Sequence, residues 1–205
     1  MPRLILVLTA LLFGLPLSAV AVDSAPHALI ERTVTQMTSR IEGEREQLES
    51  DEEYAREVVD EELGELVDFR RITQLVMGRH FQNATLAQKK AFLAAFRSSL
   101  VNTYAAGITL YQGQQITVLP ATEDDVRDGR ARVRTELRTD TGEVIPVFFS
   151  LYRNSGGNWL VENVIVNGLN LGKTYRSQFD QSVAQFAGDL DQVISNWSSD
   201  VDVGI

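Results

Sequence analysis

The segment that looks most like a reactive site is Gly168-Leu169-Asn170-Leu171-Gly172-Lys173-Thr174, which follows an apolar run and opens a helical pattern as a phosphate-binding P-loop does. A P-loop sets four residues between its two glycines, so that successive backbone amides curl around phosphate oxygens. Here three intervene, and two of them are leucines that would crowd such a nest. No apolar strand ends in an Asp suited to Mg²⁺, and nucleotide binding is set aside.

Acid–base, metal and nucleophilic chemistry find no better footing. His27 and His80 are the two histidines, and no HExxH or other paired ligand spacing accompanies them. His80, in Gly78-Arg79-His80-Phe81, reads as a structural or surface residue. Ser98-Ser99 and Ser198-Ser199 lack the GxSxG context that exposes a nucleophile. The absence of cysteine rules out a disulfide scaffold, thiolate metal sites, a Cys nucleophile and the lipidated Cys of a lipoprotein. Twelve of the 28 acidic residues lie in Glu42 to Glu65, a solvated helical run with no apolar pocket pattern to drive carboxyl pKa values apart. Asn83-Ala84-Thr85 and Asn196-Trp197-Ser198 match a glycosylation pattern short enough to arise by chance. A net charge of −9 and a pI near 4.8 argue against a general nucleic-acid binder, which needs clustered basic residues. The residues assemble no active site, so the reading is not an enzyme.

The elements that position these residues begin with an export signal. Arg3 precedes an apolar run from Leu4 to Leu17, and Ser18-Ala19-Val20-Ala21 offers small residues for cleavage after Ala21. The run is too short to cross about 30 Å of hydrocarbon as a helix. Residues 1–21 are therefore expected to be a signal peptide, 22–197 a single domain, and 198–205 a flexible tail.

Val22 to Glu65 reads as helical. Leu29, Ile30, Val34, Met37, Ile41 and Leu48 form one apolar stripe, and Tyr54, Val58, Val59, Leu63, Leu66 and Val67 a second. Asp68 looks like the N-cap of a short helix carrying Phe69, Ile72, Leu75 and Val76, ended near Gly78. Thr85 with Gln88 has capping-box spacing and opens a helix bearing Phe92, Phe96, Leu100 and Tyr104, with Gly107 near its end. From Gln114 the period falls to two. Ile116 and Val118 start a strand stopped by Pro120, and Ala131, Val133, Thr135 and Leu137 alternate with Arg130, Arg132, Arg134, Glu136 and Arg138. Asp140-Thr141-Gly142 turns into Val144 to Arg153, and Asn154 to Asn158 turns into Trp159 to Val166. Helical spacing returns with Tyr175, Phe179, Val183 and Phe186, and Asp189 restarts a helix with Leu190, Val193, Ile194 and Trp197. Strands in succession with no helix between them predict an α+β domain: an antiparallel meander of four strands, or five, packed against helices. Composition alone leaves open whether the space between sheet and helices is a filled core or a ligand-sized cavity.

In this order and spacing, five segments resemble the MlaC-type family of periplasmic phospholipid carriers, also called toluene-tolerance proteins. They are VDFRRITQLVMGRHFQNAT (Val67 to Thr85), QKKAFLAAFRSSLVNTYA (Gln88 to Ala105), PVFFSLYR (Pro146 to Arg153), NWLVENVIVNGLNL (Asn158 to Leu171) and YRSQF (Tyr175 to Phe179). The chain departs from the family at Asn163 and Asn167, where Asp and Glu are more usual, at Asn170, usually Ser, and at Gly172-Lys173.

The resemblance implies a periplasmic carrier without a cofactor. Its helices and sheet would enclose phospholipid acyl chains in an apolar cavity, and it would shuttle lipid, as a monomer, between an outer-membrane lipoprotein–porin complex and the lipid-binding subunit of an inner-membrane ABC transporter. Such a system maintains outer-membrane lipid asymmetry. Exposing two acyl chains of about 15 carbons each to water costs on the order of 20–25 kcal/mol at about 0.8 kcal/mol per CH₂, so unaided crossing of an aqueous gap is very slow. Residues expected to wall the cavity are Phe96, Leu100, Tyr104, Val118, Val133, Leu137, Val147, Phe149, Leu151, Val164, Val166, Leu169, Tyr175 and Phe179. The two tyrosines suit a wet edge. The Arg130, Arg132, Arg134 and Arg138 row is either a docking face for a partner or anionic headgroups, or an ordinary solvated strand face. The competing expectation is a periplasmic adaptor domain with a solid core that acts through its surface.

Overall fold

The computed structural model describes Asp23 and residues 25–109, 111–199 and 201. The expected signal peptide lies outside the described residues. Three helices come first, α1 (Ala25–Gly43), α2 (Arg45–Ser50) and α3 (Glu52–Leu66). The expected helical stretch is thus broken twice, the second time at Asp51, whose carboxylate caps α3 by accepting from the Glu53 and Tyr54 amides. Next are α4 (Phe69–Met77), the single turn α5 (His80–Asn83) and the long α6 (Leu86–Ile108). Asp68 caps α4 by accepting from the Arg71 amide at 2.9 Å. At the other end Gly78 takes φ +51°, and a Cβ there would lie 2.8 Å from the Arg176 guanidinium. Thr85 and Gln88 form the reciprocal capping box of α6. That helix runs one residue past Gly107, where its end was expected.

The strands are β1 (Gln115–Val118), β2 (Val126–Arg127), β3 (Arg130–Arg138), β4 (Val144–Arg153), β5 (Trp159–Val166) and β6 (Leu169–Asn170), followed by α7 (Leu171–Gln185) and α8 (Leu190–Ser195). They make one antiparallel sheet in the order β1-β3-β4-β5-β6, with β2 pairing the other end of the β3 edge. Beyond the four main strands come two pairs of two residues, β2 and β6, each too short for alternation to show in a sequence.

Register puts Ala131, Val133, Thr135 and Leu137 opposite Leu151, Phe149, Val147 and Ile145, which forms the inner face. On the outer face Arg130, Arg132, Arg134 and Arg138 lie opposite Tyr152, Ser150, Phe148 and Val144. Between Ser150 and Leu151 the β4–β5 register slips: Ser150 pairs Asn163 while Leu151 pairs Val161, leaving Glu162 as a bulge residue. The outer edge of β5 is held at one end by β6 and at the other by a parallel bridge from Val67 to Val161.

Helices cover the inner face in two blocks. α1 brings Ile30 onto Ala131, Val133, Leu151 and Val161. α4, α6, α7 and α8 converge on Phe92, Phe96 and Phe179, all fully buried. Their rings pack tightly, with centroids 4.7 Å apart for Phe92 and Phe179 and 5.0 Å for Phe92 and Trp197. Each such ring contributes roughly 1.5–3 kcal/mol by burial. A third cluster, centred on Val58, Val59 and Leu48, ties α2 and α3 to the far end of α6. The stretch expected to be a loose tail from Ser198 starts out docked: Ser199 is fully buried, and its amide donates to Ser99 Oγ at 2.7 Å. No helix among the described residues is long and apolar enough to cross a membrane.

Candidate functional site

Between the two blocks the core is hollow. A cavity of about 280 Å³ is lined by Leu63 and Leu66 of α3, Val67 just after it, Phe69 and Ile72 of α4, and Phe96, Leu100 and Tyr104 of α6. Val147 and Phe149 of β4, Val161 to Val164 and Val166 of β5, and Leu171, Gly172 and Tyr175 of α7 complete the wall. The i, i+4, i+8 row on α6 and the alternating inward residues of β4 supply opposite walls, as their periodicities require. Among the described residues Glu162 is the only charged one on the lining, and Asn163 the only amide.

Of the residues expected from the sequence, Phe96, Leu100, Tyr104, Val147, Phe149, Val164, Val166 and Tyr175 border this cavity. The other six do not. Val133 and Leu151 are fully buried under α1, with Val118 packed against the same cluster. Phe179 is fully buried among Phe92, Trp197 and His80, and Leu137 and Leu169 pack onto that aromatic block. The reason is geometric: inward residues near α1, or one helical turn beyond Tyr175, meet another element instead of open space. The sequence reading missed Leu63, Leu66, Val67, Phe69, Ile72, Val161, Glu162, Asn163, Leu171 and Gly172. One signal was available, because Val161, Val164 and Val166 break the two-residue step where the bulge sits.

Tyr104 keeps 40% of its surface accessible while lining the cavity, and burial pushes its phenol pKa up. The hydroxyl stays protonated. Two tethers fix the β5 side of the wall. Asn163 Oδ1 accepts from the Gly172 amide at 2.9 Å, which anchors the start of α7. Glu162, 9% exposed, accepts from Arg71 Nε at 2.5 Å and from Arg130 Nη1 at 2.6 Å. Arg71 also stacks 4.1 Å from the centroid of the Tyr152 ring, whose hydroxyl donates to Asp68. That hydrogen bond, helped by burial, raises the Tyr152 pKa and keeps the phenol a donor.

The P-loop look-alike is a strand-to-helix turn. The amides a phosphate would need are already used: Gly172 donates to Asn163, and Lys173 to Asn170 Oδ1 at 3.0 Å. His80 pairs with Asp180 at 2.8 Å, and His27 is buried 3.5 Å from Asp125, within ion-pair range but without a hydrogen bond to it. Neither histidine lines the cavity. Among the described residues no three His, Asp or Glu gather where a metal could be held.

The four arginines of β3 share the outer face, in different settings. Arg130 holds Glu162, and Arg132 stacks 4.4 Å from the Phe148 ring centroid. Arg134 lies 3.5 Å from Asp125 and donates to the Pro120 carbonyl, while Arg138 reaches the Gly142 carbonyl.

An antiparallel sheet closed on one face by helices around an apolar hollow defines an α+β protein of the cavity-bearing class. The chain belongs to the MlaC family, whose model matches residues 31–199. It is 35% identical over 195 residues to the toluene tolerance protein Ttg2D of Pseudomonas putida, a match spanning 95% of this chain and 89% of that one. It is 23% identical over 152 residues to the intermembrane phospholipid transport system binding protein MlaC of Haemophilus influenzae, across 73% and 70% of the two chains. Among solved structures it is similar to the phospholipid-binding protein of Ralstonia solanacearum in complex with a phospholipid. That likeness has a TM-score of 0.73 and 25% identity, over 82% of this chain and 92% of that one.

Proposed function

We propose that this chain is a periplasmic phospholipid carrier, not an enzyme, that takes acyl chains into the cavity between sheet and helices. The observation that carries this reading is the lining itself, a hollow walled mainly by Leu, Val, Ile and Phe side chains, with polar side chains among the described residues limited to Glu162, Asn163 and the two tyrosines. An apolar wall replaces the acyl environment of the membrane, so transfer in either direction runs near balance and the net direction is set elsewhere. The membership of the chain in the MlaC family and its likeness to a structure solved with phospholipid support the same ligand.

In this reading residues 1–21 direct export and are removed, and the mature monomer moves lipid between an inner-membrane ABC transporter's lipid-binding subunit and an outer-membrane lipoprotein–porin complex. Phe96, Leu100, Tyr104, Val147, Phe149, Val164, Val166 and Tyr175 serve as acyl-chain wall. The outer arginine face, Arg130, Arg132, Arg134 and Arg138, serves as the docking surface. The deciding experiment is organic-solvent extraction of the purified protein followed by mass spectrometry, paired with uptake of labelled phospholipid from vesicles. Stoichiometric phospholipid in the extract and saturable uptake are expected; neither appearing would overturn the reading.

A further inference from the structure

One wall of the cavity is fastened differently from the others. The α6 and α7 walls are anchored by the fully buried Phe92, Phe96 and Phe179, and β4 lies between two strands of the sheet. α4 has such an anchor at its C-terminal end, where Val76 and Met77 are fully buried. Its first turn brings Phe69, a buried ring under the Arg97 guanidinium, and Ile72 to the cavity, and polar groups add a second fastening to that turn. Asp68 accepts from the Tyr152 hydroxyl and its amide donates to the Val161 carbonyl at 3.3 Å, while Arg71 is gripped by Glu162 and stacked on Tyr152. Arg130 and Tyr152 are cross-strand partners on the outer face, so Glu162, which borders the cavity, meets Arg130 and Arg71 with its carboxylate at the edge of β5. Between the Val67 bridge and β6, among the described residues, no strand pairs with that edge at Glu162 to Val164.

Two kinds of fastening respond differently to opening. Pulling buried rings out of the core exposes apolar surface to water, whereas releasing a solvent-reachable cation from a carboxylate that keeps a second cation exchanges its protein hydrogen bonds for water. Arg71 and Arg130 are 33% and 65% exposed, so both cations are rehydrated as soon as they let go.

We propose that the first turn of α4 is the movable wall of the cavity, latched by the bulge residue Glu162 acting through Arg71, and that release of this latch sets the rate of lipid entry and exit. Glu162 is thereby a positioning residue. Its placement depends on the one-residue slip between β4 and β5, which leaves its carboxylate free to grip two cations. The proposal rests on the phospholipid-carrier reading above.

The test measures transfer of labelled phospholipid between the protein and vesicles of phosphatidylethanolamine and phosphatidylglycerol, alongside the amount bound at equilibrium. Arg71→Gln removes the cation that Glu162 grips, at a residue outside the cavity lining. It is expected to exchange lipid at least threefold faster with the bound amount unchanged, a split between rate and occupancy that a merely structural residue would not produce. The absence of native cysteine allows a converse arm, Val67→Cys with Val161→Cys, at bridge partners close enough for a disulfide. The oxidised protein is expected to exchange at least tenfold more slowly than the same protein reduced. Equal rates in the oxidised and reduced forms, or a folded Arg71→Gln variant exchanging at the native rate, would overturn the proposal. If Arg71→Gln does not fold, the disulfide arm decides alone. Native protein that takes up no phospholipid would defeat the carrier reading and this proposal with it. Native exchange that ignores the latch would defeat the proposal only.

Discussion

Asn163 and Gly172 meet so closely that no side chain fits between them: Asn163 Oδ1 accepts the Gly172 amide at 2.9 Å, and a Cβ on Gly172 would lie 2.7 Å from that oxygen. The contact joins the bulged part of β5 to the first turn of α7, the two elements that carry the polar part of the cavity wall. Glycine inside a helix usually costs about 0.8–1 kcal/mol relative to alanine. Here that gain is opposed by steric conflict and by the loss of a partly buried hydrogen bond, which together outweigh it. Gly172→Ala should therefore lower stability by about 1 kcal/mol, and Asn163→Ala in the same chain should recover part of the loss. Denaturant titration of the two single variants and the double variant measures this, and a stabilised Gly172→Ala would contradict the close approach.

The inner face of the sheet offers a paired experiment on space. Val147 borders the cavity, and Val133, on the adjacent strand, is fully buried beneath α1. Val147→Trp should fill the hollow, cut phospholipid occupancy and leave stability nearly unchanged. Val133→Trp has no space to enter and should cost about 1–3 kcal/mol by overpacking. Mass spectrometry of bound lipid beside thermal unfolding separates the two, and equal stability losses would mean that the hollow is filled.

Acid should loosen α1 first. Burial lowers the His27 pKa against the opposing pull of Asp125, with the Arg134 charge adding to the lowering. The folded protein therefore binds fewer protons at this site than the unfolded chain. The associated stability is fully present above the ordinary histidine value of about 6.5 and is lost as pH falls below it. Asp125 follows at lower pH. Burial raises its pKa, but hydrogen bonds from Thr122 and the charges of Arg134 and His27 outweigh burial and hold it below 3.8, so its contribution is lost only below that value. Unfolding free energies measured from pH 8 to 4 should show a slope beginning near pH 6.5 that His27→Phe flattens. An unchanged slope would place the titrating group elsewhere.

Charge reversal on the outer face should separate docking from binding. Arg132→Glu with Arg138→Glu removes a stacking contact on Phe148 and a carbonyl contact at Gly142, both at the surface, and should cost less than about 1 kcal/mol of stability. Bound phospholipid should stay at the native level, while transfer to purified transporter or outer-membrane complexes should fall at least fivefold. Native transfer by this variant would return the arginine row to an ordinary solvated face.

Much of the fold can be read from the chain because it is local. Asp68, Thr85 with Gln88, and Asp189 each cap the helix that follows, and the alternation through β3 and β4 names the inner face residue by residue. What escapes the sequence is decided between elements. Tyr175 and Phe179 lie one turn apart on α7, yet one borders the hollow and the other is sealed among aromatic rings. Val133 and Val147 alternate identically, and only the position of α1 tells them apart. β2 and β6 are too short to carry a period. Glu162 reads as one more acid in a strand until the slipped register turns it toward two arginines.

The placement of the two tryptophans has an optical consequence. Trp197 sits 6.0 Å from Phe96 and 5.0 Å from Phe92, so a single ring of the cavity wall separates its indole from whatever occupies the hollow. Trp159, the other indole of the chain, lies at the far end of β5 under Arg153 and does not line the cavity. The protein thus carries a native fluorophore beside its binding chamber and a second one away from it. Loading is readable as a change in emission from Trp197 against a steady signal from Trp159, without any attached dye.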